Sequence, residues 1–297
     1  MANTLGTANG AIIARRALTT LLEQFPFLQQ ITTDFSNEPV LFNQTVYTKL
    51  PSAVSAIDYN TTTGYVSADV TQVDVPVTLN KHKHVTYGMN DAERSSTPTN
   101  LIERFAGNAA QALGLQLMND LFALLTLANY GNSSVITVAA MNRAKLVGVA
   151  KKLTGRKVPQ VGRFAVLQSD YYESLMNDAV LVNNAGSPAD TVRSGHLGNV
   201  AGFSVSEYYQ LPQNAQSLAG FAGSAEGLIL ATRVPAEPQN VDQLPGSIEI
   251  VTEPNTGLSL QVRHWYDFAL GRENVTFTLM YGVAVGNAAA IERMTLV

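Results

Sequence analysis

Between residues 8 and 31, apolar side chains recur at helical spacing (Ile12, Ile13, Ala17, Leu18, Leu21, Leu22, Phe25) until Pro26 interrupts them. That spacing predicts a short amphipathic N-terminal helix. From 40 to 87, β-branched and aromatic residues take over, punctuated by Pro51, a polar tip at 60–64 and Pro76. This segment predicts a long two-stranded excursion. Its second arm alternates strictly. Val73, Val75, Val77, Leu79, Lys81, Lys83, Val85 and Tyr87 fall on one face, and Asp74, Thr78, Asn80, His82, His84 and Thr86 on the other. Pro76 has no N–H for a ladder, which places this part of the ribbon at an edge or protruding.

The period changes at 95–100. Pro98 suits a first helical position, and Asn100 with Glu103 three residues on offers a capping pair. A helix is expected from there to about Asn129, stopped by Gly131. Its length would be about 32 residues, or roughly 48 Å at 1.5 Å per residue. Gly107 and Gly114 share a face with Leu121; they either admit a close neighbour or are simply tolerated in the helix. A second helix is expected over 138–153, with Lys151 and Lys152 as a solvated basic end before Gly155. There follow an apolar strand (163–168), a short helix (170–178) and a polar loop (183–198). Further strands are expected at 200–209, 228–233, 248–253, 258–265 and 275–285. The fold class is α+β, with closing antiparallel strands that return to the long helix.

The 297 residues suffice for one large domain or two lobes sharing a core. Only 14% are Asp, Glu, Lys or Arg, against about 25% in an ordinary soluble domain. Interface centres are depleted of charge, so this chain is expected to cover much of its surface with copies of itself. A net charge of −4 argues against sequence-specific nucleic-acid binding. The absence of cysteine excludes disulfides, thiolate metal sites and a cysteine nucleophile. Near the start, Ile12 and Ile13 precede Arg15 and Arg16, the reverse of a secretory signal's order. The apolar stretch 121–128 is far shorter than the roughly 18 residues of a membrane span. Neither export nor a membrane partner is expected.

Candidate chemistry is sparse. His82 and His84 share a strand face about 6.6 Å apart, a spacing that chelates metal only if further ligands converge. Only His196 and His264 remain elsewhere, and a plain ribbon face is the expectation. The glycine-rich stretch from Gly220 to Gly227 has the wrong spacing for a phosphate loop and is expected to be a turn. His264 and Asp267 lie three apart in an expected strand and so face opposite ways. Trp265 is expected to be a packing anchor. No catalytic residue, cofactor or metal is expected.

Taken in order, these segments resemble the major capsid proteins of tailed bacteriophages with the Hong Kong 97-type fold, particularly the podovirus coat-protein branch. The resemblance runs nearly end to end. It is carried by 73–91 (VDVPVTLNKHKHVTYGMND) leading to Glu93 and the long helix, by 198–205 (GNVAGFSV) with Leu211-Pro212, and by Tyr281-Gly282-Val283. It implies an N-arm (1–35), an extended E-loop with flanking strands (36–90) and a P-domain spine helix (91–134). An A-domain (135–260) and C-terminal P-domain strands (261–297) would follow. Lys49, Tyr59, Asn60, Gly64 and Tyr65 on the E-loop, with Arg15 and Arg16 on the N-arm, become the candidate assembly interface. The large inserted domain of some podovirus relatives has no counterpart here. Some relatives crosslink Lys to Asn between subunits. Lys49 is placed for this, but neither the Asn nor a promoting carboxylate can be identified.

The resemblance further implies self-assembly through hexamers and pentamers into an icosahedral head around double-stranded DNA. Scaffolding and portal proteins, and a decoration protein, are the implied partners. Assembly in the host cytoplasm and residence in the virion follow. The alternative readings are an encapsulin-like host compartment and a small-oligomer α+β enzyme using His264 or His196.

Overall fold

The computed structural model describes residues 6–51, 56–67, 72–96, 101–178, 181, 197–237, 246–254 and 256–296. The expected N-terminal helix is α1 (Gly6–Gln24), and Pro26 begins a 3₁₀ turn (Pro26–Gln29). Strand β1 (Thr32–Val40) follows, then a two-stranded ribbon of β2 (Thr45–Pro51) and β3 (Gln72–Thr78), then β4 (Lys81–Asn90). Helix α2 (Asp91–Ser96) leads towards α3 (Leu101–Phe122).

The excursion is shorter than its alternation predicts. The inward–outward pattern continues through β4, but only 45–78 forms the ribbon, while β4 joins a central sheet. The break lies at the ribbon base, where Asn43 N–H donates to Leu79 O (3.0 Å) and Leu79 N–H to Gln44 O (2.9 Å). A period of two cannot distinguish one long strand from two collinear ones with different partners. Helix α3 is also shorter than expected, at 22 residues, or about 33 Å. Instead of running to Asn129, it ends where Asn214 Nδ2 donates to the carbonyls of Phe122 (2.9 Å) and Leu125 (3.2 Å). A distant loop therefore caps it, with no local glycine required. The Pro98 and Asn100 start signal lies outside the described residues. The capping box that is described belongs to α2: Glu93 N–H donates to Asn90 Oδ1 (2.8 Å) and Asn90 N–H to Glu93 Oε2 (3.0 Å).

The central sheet is built on β13 (Arg272–Val285). β12 (Ser259–Asp267) and then β10 (Leu228–Pro235) follow one another along one edge of it, and β4 runs along the other. β11 (Ser247–Thr252) extends the sheet beyond β12, and β1 beyond β10. One face presents Val275, Phe277, Leu279 and Tyr281 to the core shared with α1 and α3. The opposite face is covered at one end by the ribbon base, where Leu50, Val77 and Leu79 pack on Ile229 and Ala231.

A second sheet has the order β5 (Ser133–Val135), β14 (Ile291–Thr295), β9 (Leu218–Gly223), β6 (Phe164–Leu167), β8 (Phe203–Glu207), β7 (Asn199–Val200). Helices α4 (Arg143–Gly155) and α5 (Ser169–Met176) bury Leu146, Val149, Leu153, Tyr171 and Leu175 on one face of it. Its other face sends Phe164 and Phe221 into the first core, where both rings meet Phe27 edge-on at 5.0 and 5.9 Å. Phe27 also meets Phe122 at 5.4 Å. The turn forced by Pro26 thus places one aromatic ring at the junction of α3 and the second sheet.

One further expectation is corrected. The turn expected at 220–227 overlaps the fully buried strand β9, and only Ala225–Gly227 turns. Gly220 and Gly223 serve close packing there, since a Cβ on Gly220 would lie 3.0 Å from Leu167 Cδ2. Both sheets draw on strands from either side of residue 260. β10 and β11 lie before it yet join the central sheet, and β14 lies after it yet joins the second. Lys152, half exposed in the last turn of α4, also bonds through its Nζ to Ser134 Oγ (2.7 Å) and Glu292 Oε1 (3.1 Å). The polar loop 183–196 lies outside the described residues.

Gly114 admits a close neighbour. The Phe25 ring rests on it, and a Cβ there would overlap that ring. Gly114→Ala gains roughly 1 kcal/mol of helix propensity but displaces a ring that is 7% exposed. A net loss of about 1 kcal/mol is expected, read as a lowered thermal midpoint of the isolated subunit.

Candidate assembly surfaces

The β2–β3 ribbon pairs Thr45 with Thr78 through to Pro51 with Gln72. Its inner positions Thr48 and Leu50 are buried, whereas Tyr47 is 63% exposed on the outer face. Lys49 is exposed and paired in register with Asp74. At the tip, Gly64 N–H donates to Asn60 O (2.8 Å) and Thr62 N–H to Asn60 Oδ1 (2.8 Å). Gly64 takes a φ of +69°, a conformation glycine adopts without steric cost. This turn sets the Tyr59 and Tyr65 rings 4.9 Å apart, with Tyr65 94% exposed. Four of the five sequence-predicted ribbon residues therefore gather in this turn, while Lys49 lies on β2.

Arg15 and Arg16 are exposed on α1, while Ala14, Ala17, Leu18 and Leu21 face the core. They are remote in sequence from the ribbon. Sequence reasoning missed the tip's apolar members Ile57 and Val66, each more than half exposed. It also missed Phe268 (80% exposed) and Leu270, in the turn between β12 and β13. The available signal was apolar residues inside otherwise polar turn segments, a mismatch with solvent that a partner surface would remove.

The remaining candidates have structural partners. His82 and Thr278 Oγ1 are hydrogen-bonded at 2.7 Å, and His84 Nδ1 lies 3.2 Å from Thr86 Oγ1. Among the described residues no group of three His, Asp or Glu could hold a metal ion. His264 Nε2 lies 2.7 Å from Glu273 Oε1, and Asp267 accepts the Ala269 and Leu270 N–H groups in the adjoining turn. His264 and Asp267 do not act on each other. Burial pushes the Tyr208 and Tyr171 hydroxyls up to about 12. It also raises Tyr281, whose hydroxyl donates to Asp120 Oδ2 (2.7 Å) and so ties β13 to α3. These are neutral packing hydroxyls. No helix of the described residues is long and apolar enough to cross a membrane.

No protein-family model matches the sequence, and neither does any curated protein. Solved structures do match. The capsid of the cyanophage P-SCSP1u aligns with a TM-score of 0.61 at 10% identity, over 89% of this chain and 86% of that one. The mature capsid of bacteriophage PhiM1 aligns at 0.56 and 11% identity, over 89% and 85%. A chain from Mycobacterium phage Che8 aligns at 0.56 and 18% identity, over 85% and 84%. With nearly the whole length of both chains superposed, this protein has the α+β fold of phage capsids, of the Hong Kong 97 type.

Proposed function

We propose that this chain is the major capsid protein of a tailed bacteriophage, a structural subunit that assembles into the icosahedral head. One observation carries the reading: in a chain with a capsid fold, apolar side chains are displayed on a protruding ribbon. Ile57, Tyr59, Tyr65 and Val66 at the tip and Tyr47 on the shaft are each more than half exposed in the isolated subunit. A two-stranded ribbon is also marginal alone in water. Both features are explained if the ribbon lies over a neighbouring copy. Low charge has the same explanation, since each subunit buries surface in several directions. Contacts that close by rotation generate the rings of such a shell. The central sheet with α3 corresponds to the P-domain, the second sheet with α4 and α5 to the A-domain, and α1 to the N-arm. Scaffolding and portal proteins are the proposed further partners, and the virion the proposed location.

Deleting residues 56–67 is expected to leave a folded subunit, judged by circular dichroism, that forms no shells. Electron microscopy of the recombinant protein, alone and with its scaffolding partner, provides the readout. Normal particles from the deletion variant would overturn the reading.

A further inference from the structure

The sheet face that carries the ribbon base has a second, uncovered end. There His82, His84 and Thr86 of β4, Thr276 and Thr278 of β13, and Arg263 and Trp265 of β12 line a pocket of about 420 Å³. Among the described residues no carboxylate lines it. Arg263 Nε donates to Gln261 Oε1 (3.0 Å), while its two terminal nitrogens have no partner among the described residues. Burial, the Arg263 charge and His84 together hold the His82 imidazole below its ordinary value. The pocket is therefore electropositive, floored by threonine methyls and hydroxyls, and walled by an indole. Such a surface suits an anionic group carried on an apolar or aromatic segment.

The exposed ribbon tip has that chemistry. Asp58 is the only acidic or basic residue in 56–67, and it stands between the exposed Ile57 and Tyr59. Strands of seven residues on each arm carry the tip on the order of 20 Å away from the ribbon base. The tip's side chains are exposed and none of them lines the pocket beside its own base. We infer that this pocket is the seat for Asp58 and the flanking aromatic residues of a second copy's ribbon. The carboxylate would meet Arg263 and the histidines, and a tyrosine would lie against Trp265. This inference rests on the reading that the ribbon reaches a neighbour, and it names the receiving face.

A charge exchange tests it. Asp58→Lys and Arg263→Glu are each expected to cut the yield of shells at least tenfold in sedimentation assays. The double variant should recover to within about twofold of wild type. Because the chain has no cysteine, Asp58→Cys combined with Thr86→Cys gives an independent readout. Mild oxidation of assembled shells should produce a ladder of linked subunits that neither single variant gives. Absence of both rescue and ladder overturns the inference, even while the tip deletion still blocks assembly and the wider reading stands. A third arm titrates the isolated subunit with inorganic phosphate. Stabilisation of wild type but not of Arg263→Ser, with no ladder in shells, would make the pocket a free-anion site and equally overturn the inference.

Discussion

Glu292→Ala is expected to lower the unfolding free energy of the isolated subunit by about 3–5 kcal/mol, measured as a shifted urea midpoint at pH 7. The carboxylate is 1% exposed on β14. It accepts from Ser134 Oγ of β5 at 2.6 Å, from Arg156 NH1 just beyond α4 at 2.6 Å and from Lys152 Nζ at 3.1 Å. Removing the shared acceptor strands a guanidinium that is only 21% exposed and leaves a buried hydroxyl without its partner. It also releases α4 from the sheet edge it covers. Lys152→Ala is the contrasting control. That ammonium is half exposed, so water can replace the carboxylate, and a loss below about 1 kcal/mol is expected.

The same cluster gives the subunit a pH response of defined sign. Burial alone would raise the Glu292 carboxyl, but hydrogen bonds from Ser134, Arg156 and Lys152 outweigh it and hold the group below its ordinary value of 4.5. A carboxyl depressed in the folded state binds fewer protons there than in the unfolded chain. Its contribution is therefore full above pH 4.5 and is lost as the pH falls through the folded value. Wild type and Glu292→Gln should differ most near neutrality and converge in acid, as followed by urea unfolding at stepped pH. A gap that widened on acidification would contradict the assignment.

Periodicity made the elements with a single amphipathic face legible. Residues 12–25 spelled out α1, and the alternation from Val73 to Tyr87 correctly separated the inward valines from the outward histidines. What escaped was set by partners distant in sequence. Nothing near Phe122 announces that Asn214, about ninety residues on, will take its carbonyl and stop α3. β9 reads as a glycine-rich turn because both its faces are buried, so it shows no alternation. β14 went unnoticed for the same reason, with charged Glu292 and Arg293 buried inside it only because β5, α4 and the 216 loop supply their partners. The ribbon tip was found through Asn60 and Gly64, whose turn chemistry is local. The pocket was not, since it joins β4 to β12 and β13 nearly two hundred positions further on, and Trp265 alone reads as an ordinary packing anchor.

Gly282→Ala should weaken the fold and the assembly together, because this glycine is where the ribbon meets the sheet. On β13 it pairs with Ala231 of β10, and a Cβ there would overlap the Thr78 carbonyl oxygen, lying 2.8 Å from its carbon and 3.0 Å from Val77 Cγ1. The obstacle is backbone, unlike the movable ring above Gly114, so the end of β3 must lift to admit a methyl group. That movement opens the Leu50, Val77 and Leu79 packing on Ile229 and Ala231, at a net cost of about 2–3 kcal/mol. Hydrogen exchange locates the damage. The Leu79 and Asn43 amides, bonded across the ribbon base, should exchange at least tenfold faster, while amides of β6 and β9 in the second sheet stay protected. If the ribbon's direction governs where its tip lands on a neighbour, shell yield should fall further than the stability loss alone accounts for. Adding a compensating stabiliser elsewhere, such as a ligand-free surface consensus change that restores the urea midpoint, should then fail to restore shells. Full recovery of shells with the midpoint would show that the glycine serves stability only, and that the ribbon finds its seat from any angle.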